Sequence, residues 1–176
     1  MKLHLGCGDK HIDGFINIDF RYLPGVDEIN NVSILKKYNN NSVDLIYASH
    51  VLEHFTRWEY KMVLKRWYDI LKPNGILRLG VPDFNSIVEY YNKTKDLRTI
   101  SGLLYGGQDY VGNTHYWTWD FETLKNELEE IGFNDIKRYN WKETEHSHID
   151  DYTQCYLPHM DKKNGLLMSL NIEAKK

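Results

Sequence analysis

The chain has 176 residues, the size of one ordinary domain, so residues 1–176 are expected to form a single unit. With 41% hydrophobic and 27% charged residues it has a globular balance, and it lacks the ~20-residue apolar run of a membrane helix. A net charge of −3, from 22 basic and 25 acidic residues, argues against the strong positive field expected of a partner for nucleic acid or an anionic membrane.

Only two cysteines occur, Cys7 and Cys155, which suits a reducing compartment better than a disulfide scaffold. The first residues carry no apolar core of a signal peptide, so a cytoplasmic location is expected. No repeat, low-complexity run or linker interrupts the chain.

Strands and helices alternate, which favours an α/β fold with a mostly parallel sheet. A first strand, Lys2 to Leu5, runs into Gly6-Cys7-Gly8, and a second, Phe15 to Ile18, ends at Asp19. A weak third strand covers Glu28 to Val32, and a strong fourth covers Val43 to Ala48. Thr56 and Glu59 then form a capping box, with Tyr60, Val63, Leu64, Trp67, Ile70 and Leu71 on one helical face. Lys72-Pro73-Asn74-Gly75 stops that helix, and Ile76 to Val81 is the fifth strand. A short helix is expected over Asn85 to Asn92, and residues 93–118 read as irregular. Asp120 caps a helix with Leu124, Leu128 and Ile131 inward and Gly132 at its end. A strand from Asp135 to Trp141, a polar loop and a last strand, Leu166 to Ala174, follow.

Two near-adjacent glycines at the end of a first strand let the backbone turn and approach a ligand closely. Asp19 closes the second strand, where a carboxylate can accept hydrogen bonds from ribose hydroxyls. The dinucleotide fingerprint does not fit: its third glycine would fall at His11, and Asp19 comes too early.

The run Leu3-His4-Leu5-Gly6-Cys7-Gly8, with Asp19 after a second strand, resembles motif I of class I S-adenosylmethionine-dependent methyltransferases. Val43 to Phe55 resembles the segment after strand 4 of that superfamily, and Leu71-Lys72-Pro73-Asn74-Gly75-Ile76-Leu77 resembles its LKPGG-x-L turn. Ile131-Gly132-Phe133 is similar to the GF before strand 6. The resemblance implies a Rossmann-like seven-stranded sheet with an antiparallel last strand, shortened at its start. More narrowly, Gly6 to Asp19 resembles a compact bacterial and phage branch associated with surface-polysaccharide genes. The connection from Gly6 to Phe15 is shorter than a helical crossover needs.

By that resemblance S-adenosylmethionine is the cofactor. Gly6, Cys7 and Gly8 would pass its methionine part, Asp19 its ribose, and Phe20, Val32 and Ser33 its adenine. Ser49 and His50 would close over the sulfur. His50 and His54, four apart after strand 4 and so able to share a helical face, are the candidate catalytic bases, with Asp83 as second-rank base or, alternatively, a helix cap. Tyr105, Gln108 and His115 are candidates for acceptor contact, or else core and rim packing.

His50-x-x-Glu53-His54 also has the spacing of an inverted zinc-protease motif, but lies inside the methyltransferase pattern. Relatives of ubiquinone O-methyltransferase carry E-x-x-E-H there and bind a divalent ion; His50 replaces the first glutamate. The leading reading assigns no metal and keeps His50/Glu53/His54 as the alternative. His146, His148, Cys155 and His159 match no zinc spacing and read as a solvated loop.

The expected activity is O-methylation of a hydroxyl of a sugar-containing metabolite or glycan precursor, so the partner is a small-molecule or sugar-type acceptor. A non-catalytic cofactor-binding subunit and a natural-product or small-acid methyltransferase are the alternatives. Trp67 and the aromatic insertion are candidates for a homo-oligomer interface or for core.

Overall fold

A computed structural model describes residues 1–176. Its strands are β1 (Lys2–Leu5), β2 (Ile16–Asp19), β3 (Glu28–Ile29), β4 (Val43–Ser49), β5 (Leu71–Pro82), β6 (Asn134–Arg138), β7 (Tyr156–Leu157), β8 (Leu166–Leu167) and β9 (Ser169–Lys175). Its helices are α1 (Tyr60–Ile70), α2 (Phe84–Thr94), α3 (Leu97–Tyr105) and α4 (Phe121–Ile131). Seven strands make one sheet in the order β3-β2-β1-β4-β5-β9-β6. The strands from β3 to β5 pair in parallel, and β9 lies antiparallel between β5 and β6. The chain winds outward from β1 to β3, then crosses to β4 on the other side. That reversal puts the topological switch point, where sheets of this kind have their ligand crevice, at the carboxyl ends of β1 and β4. No helix is long and apolar enough to cross a membrane.

The two faces of the sheet are covered differently. Alternate residues of β4 point opposite ways. Ile46 and Ala48 join the main core of 26 buried residues, to which α1 and α4 contribute Leu64, Trp67, Leu124 and Leu128. Leu45 and Tyr47 face a cluster of only four buried residues with Ile12 and Phe15, neither of which is helical. Residues 139–168 fill in on that side. The sequence suggests a solvated polar loop there, yet Thr144, His146, Asp151, Thr153 and Gln154 are all buried. Their side chains bond to one another and to the sheet, so the polarity is satisfied internally rather than by water.

The short connection between β1 and β2 is braced by Asn17, which is fully buried. Its Oδ1 accepts from the Ile12 amide at 2.9 Å and lies 3.0 Å from His4 Nδ1. Its Nδ2 donates to the carbonyls of Ile12 and Phe15 and to Asp27 Oδ2. One side chain thus supplies partners that a helix would have supplied through its backbone.

Several elements differ in detail from the sequence reading. Strand β3 is two residues long, because the chain turns away and the Val32 carbonyl accepts from Trp67 Nε1 at 2.8 Å. Helix α1 starts at Tyr60, after a turn. The Glu59 carboxylate accepts from both the amide and the hydroxyl of Thr56, so the hydroxyl caps no amide. The Lys72–Gly75 turn bulges out of β5: Val43 pairs with Leu71, and Leu45 with Ile76. Asn74 takes φ +64° there, a left-handed conformation asparagine tolerates. Helix α3 lies where an irregular segment is expected; Asp96 caps it through the Arg98 and Thr99 amides. Trp67, on the inward face of α1, is fully buried, so it is core and not a subunit surface.

Candidate active site

The crevice is lined first by the glycine loop after β1. Gly6 takes φ +63°, and a Cβ there would lie 2.5 Å from Val51 Cγ2. Gly6 is therefore small because the segment after β4 packs onto it. Gly8, at φ +57°, would place a Cβ near only Arg21 Nη2, at 3.6 Å, so it borders open space. Cys7 between them is buried, and burial pushes its thiol up to about 12, which leaves it protonated and inert.

Asp19, at the end of β2, is buried beside this loop. Its Oδ2 accepts from the Gly8 amide at 2.9 Å, and its Oδ1 from the amide and Nε of Arg21 at 2.9 and 3.1 Å. Burial works against its charge, but the donors from Arg21 and Gly8 outweigh it and hold the carboxyl below the usual range. The guanidinium of Arg21 also sits 4.3 Å from the ring centroid of Tyr110. Phe20 is 53% exposed and lies against Gly112 of the same loop. Arg21 and Tyr110 therefore cap the Asp19 end of the crevice. Local sequence does not reveal this pairing, because the contact joins segments nearly ninety residues apart.

At the end of β4, Ser49 Oγ is buried with no hydrogen-bond partner. His50 follows at φ +53°, its amide donating to the Gly80 carbonyl at 2.8 Å. His50 and His54 do not share a helical face, because only a 3-10 turn, Leu52–His54, separates them. What gathers them is Glu53, which is fully buried. His50 Nδ1 lies 3.2 Å from Glu53 Oε1, and His115 Nε2 lies 3.9 Å from it. Neither contact is a hydrogen bond, and both Glu53 oxygens are without one. Burial raises the Glu53 pKa, and the positive charge that His50, His54 and His115 carry when protonated outweighs that and lowers it. Burial lowers that of His115. His54 Nδ1 donates to the Thr114 carbonyl at 3.1 Å and His115 Nδ1 to the Leu103 carbonyl at 2.9 Å. Tyr152, carried in by the β6–β9 connection, lies 5.3 Å from the His50 ring and is 66% exposed.

The remaining candidates fall elsewhere or serve the scaffold. Asp83 caps α2 through the Asn85 amide and accepts from Arg138, so both oxygens are engaged. Val32 packs on the core, and Ser33 bonds Asn31 within a turn. Tyr105 is 55% exposed, and its carbonyl accepts from the His115 amide and from Gln108 Nε2. Those bonds shape the loop that delivers Tyr110 and His115.

A family model described as a methyltransferase domain matches residues 15–138. The chain belongs to that family. The match begins after the glycine loop, so the loop's assignment rests on its position in the fold. A search of curated proteins returned no match. Among solved structures, a SAM-dependent methyltransferase from Archaeoglobus fulgidus is 20% identical, with 99% of this chain and 85% of that one covered and a TM-score of 0.59. A SAM-dependent methyltransferase from Thermotoga maritima, described as a possible histamine N-methyltransferase, is 17% identical, with 99% and 81% coverage and a TM-score of 0.57. The 1,6-didemethyltoxoflavin N1-methyltransferase of Burkholderia thailandensis, solved with S-adenosylhomocysteine, is 14% identical, with 99% and 70% coverage and a TM-score of 0.59. Family and fold identify a class I, S-adenosylmethionine-dependent methyltransferase domain.

Proposed function

We propose that this methyltransferase domain, acting as one unit over residues 1–176, O-methylates a hydroxyl of a sugar-containing metabolite or glycan precursor. The observation that carries the reading is the set of exposed aromatic rings around the crevice. Phe20, Tyr105, Tyr110, Tyr116 and Tyr152 are each 41–66% exposed; the rings of Phe20 and Tyr110 lie on Arg21 and that of Tyr152 on His50, while the backbones of Tyr105 and Tyr116 bond to those of His115 and Glu53. Flat apolar faces with polar tips suit a ring that carries hydroxyls.

The residues present fit S-adenosylmethionine. Gly8 leaves backbone exposed to the crevice, Asp19 is a carboxylate at the ribose position, and Ser49 offers a buried hydroxyl without a partner. Bound there, the cofactor supplies a methyl group on a sulfonium, already activated for displacement. Asp19 would hold the ribose hydroxyls once Arg21 swings off its Oδ1. Val51 packs on Gly6 and fixes the glycine loop. His54, with Nδ1–H given to Thr114, keeps Nε2 as a lone pair able to accept the acceptor's proton.

A second reading, a binding subunit without turnover, draws on Arg21, whose hold on Asp19 competes with ribose. Two measurements decide. Calorimetric titration with S-adenosylmethionine is expected to show micromolar binding, with none for NAD. Transfer of a labelled methyl group to a panel of sugars and nucleotide sugars is expected to exceed transfer to amines and carboxylic acids. Binding without single-turnover transfer to any acceptor would select the second reading.

A further inference from the structure

Four proton-accepting atoms meet beside the end of β4, and the hydrogen bonds around them leave no proton in their midst. Asn171 Nδ2 donates to the Thr153 carbonyl at 2.8 Å, which turns its Oδ1 toward Ser169. The single hydroxyl proton of Ser169 goes to that Oδ1 at 2.9 Å. Ser169 Oγ therefore accepts from His50 Nε2, 3.0 Å away. Neutral His50 then presents the lone pair of Nδ1 to Glu53 Oε1, which explains a 3.2 Å approach without a hydrogen bond. His54 and His115 give their Nδ1 protons to the carbonyls of Thr114 and Leu103, so both present Nε2 lone pairs. Three imidazole lone pairs thus surround a fully buried carboxylate. A buried carboxylate that faces only lone pairs is costly until a proton, a water or a cation enters among them.

We infer that Glu53, His54 and His115 bind one divalent transition-metal ion, with His50 beside them as a positioning residue or fourth ligand. The ligand atoms of the first three all lie within 4.8 Å of one another. Metal bonds of about 2.0–2.2 Å require each side chain to draw in by roughly an ångström or less. Imidazole-rich sets with one carboxylate favour Zn2+, Co2+ or Ni2+ over Mg2+ and Ca2+. The Nδ1–H bonds to backbone carbonyls are the support that metal-binding histidines use to fix ring orientation and tautomer. Two of the ligands come from the turn after β4 and the third from the loop after α3. The ion would join these segments where the Glu53 carbonyl already accepts from the Tyr116 amide at 2.8 Å. The competing occupant is a proton, which would make one of the histidines an imidazolium. The inference stands apart from methyl transfer, but the two meet at His54, which as a ligand would no longer be a free base.

The test uses the tag-free full chain without S-adenosylmethionine. Co2+ titration is followed by visible absorption, and Zn2+ titration by calorimetry. One equivalent of each is expected to bind with micromolar affinity or tighter, Zn2+ displacing Co2+ and Mg2+ having no effect. Glu53→Gln and His115→Gln are expected to weaken Zn2+ binding about tenfold or more, while His146→Gln leaves it unchanged. Absence of stoichiometric binding to the wild-type chain overturns the inference, and so does equal Zn2+ affinity in both ligand variants. Should a variant fail to fold, the backbone signals of Thr114 and Leu103 in wild-type nuclear magnetic resonance decide. No Zn2+-dependent shift at those residues rejects the site. Cofactor titration is a separate measurement, so failure of one reading is distinguishable from failure of the other.

Discussion

Asp19 carries two jobs that pull in different directions. Its carboxylate pins the glycine loop through the Gly8 amide, and it is paired with Arg21 on the side that a ribose would use. Asp19→Ala is expected to weaken S-adenosylmethionine binding at least tenfold, or about 1.4 kcal/mol, by calorimetry. An unchanged dissociation constant would remove Asp19 from the cofactor site. For His54 the expected signature is different, because its proposed role is to take the acceptor's proton and not to hold the cofactor. His54→Ala should lower kcat far more than it changes the cofactor's Kd, and equal losses in both would mark His54 as structural. Asp19 is legible as an acid at a strand end, and His54 as a histidine in the turn after one. Arg21 and Tyr110 are not, since nothing in either local sequence names the other as partner.

Among elements, the glycine loop and the segment after β4 act as one packed unit. Gly6→Ala forces a methyl group toward Val51 Cγ2 at 2.5 Å and holds alanine at φ +63°. The expected loss is roughly 1–3 kcal/mol in urea unfolding. Adding Val51→Ala should recover only part of it, because the steric cost disappears and the backbone cost does not. Full recovery, or none, would contradict that division. The β1–β2 connection depends in the same way on Asn17. Asn17→Ala removes the side-chain partners of the Ile12 amide and carbonyl and one of the two Asn17 donors to Asp27, and should cost roughly 2–4 kcal/mol. A loss below about 1 kcal/mol would mean that the connection holds without this brace. The sequence shows that this crossover is too short for a helix. It does not show what replaces the helix, because the replacement is a single side chain together with a segment far along the chain.

For the whole molecule, the cover supplied by residues 139–168 makes stability depend on pH. His146 Nε2 accepts from Arg78 Nη1 at 3.0 Å, which requires a neutral imidazole. Its other neighbours are Tyr47 of β4, Phe15 of the first connection, Glu145 and Asp151 of its own segment, and His4 of β1. Burial and then Arg78 lower its pKa to about 4, against about 6.5 in the unfolded chain. Between those values the unfolded state holds the extra proton, so stability is complete above about pH 6.5 and falls as pH drops toward 4. The shift sets a ceiling of roughly 3 kcal/mol for this one group. His4, lowered mainly by burial, acts in the same direction. Urea unfolding from about pH 4 to pH 7 should show this slope in the wild type and a shallower one in His146→Gln. An identical slope in both would clear His146 of the effect.

The sequence by itself determined the class of the fold and the order of most of its strands and helices. These follow from local signals: apolar periodicity, glycines and acids at strand ends, and caps such as Asp83 and Asp120, whose physics is contained within a few residues. Helix α3 escaped because its stripe is short and set among glycines and tyrosines. Only the tertiary structure decided that residues 139–168 cover a face of the sheet, that Arg21 and Tyr110 cap Asp19, and that His115 joins Glu53 and His54. Each of these is a contact between distant segments, and its energy comes from burial and polar pairing that exist only once the chain has closed on itself.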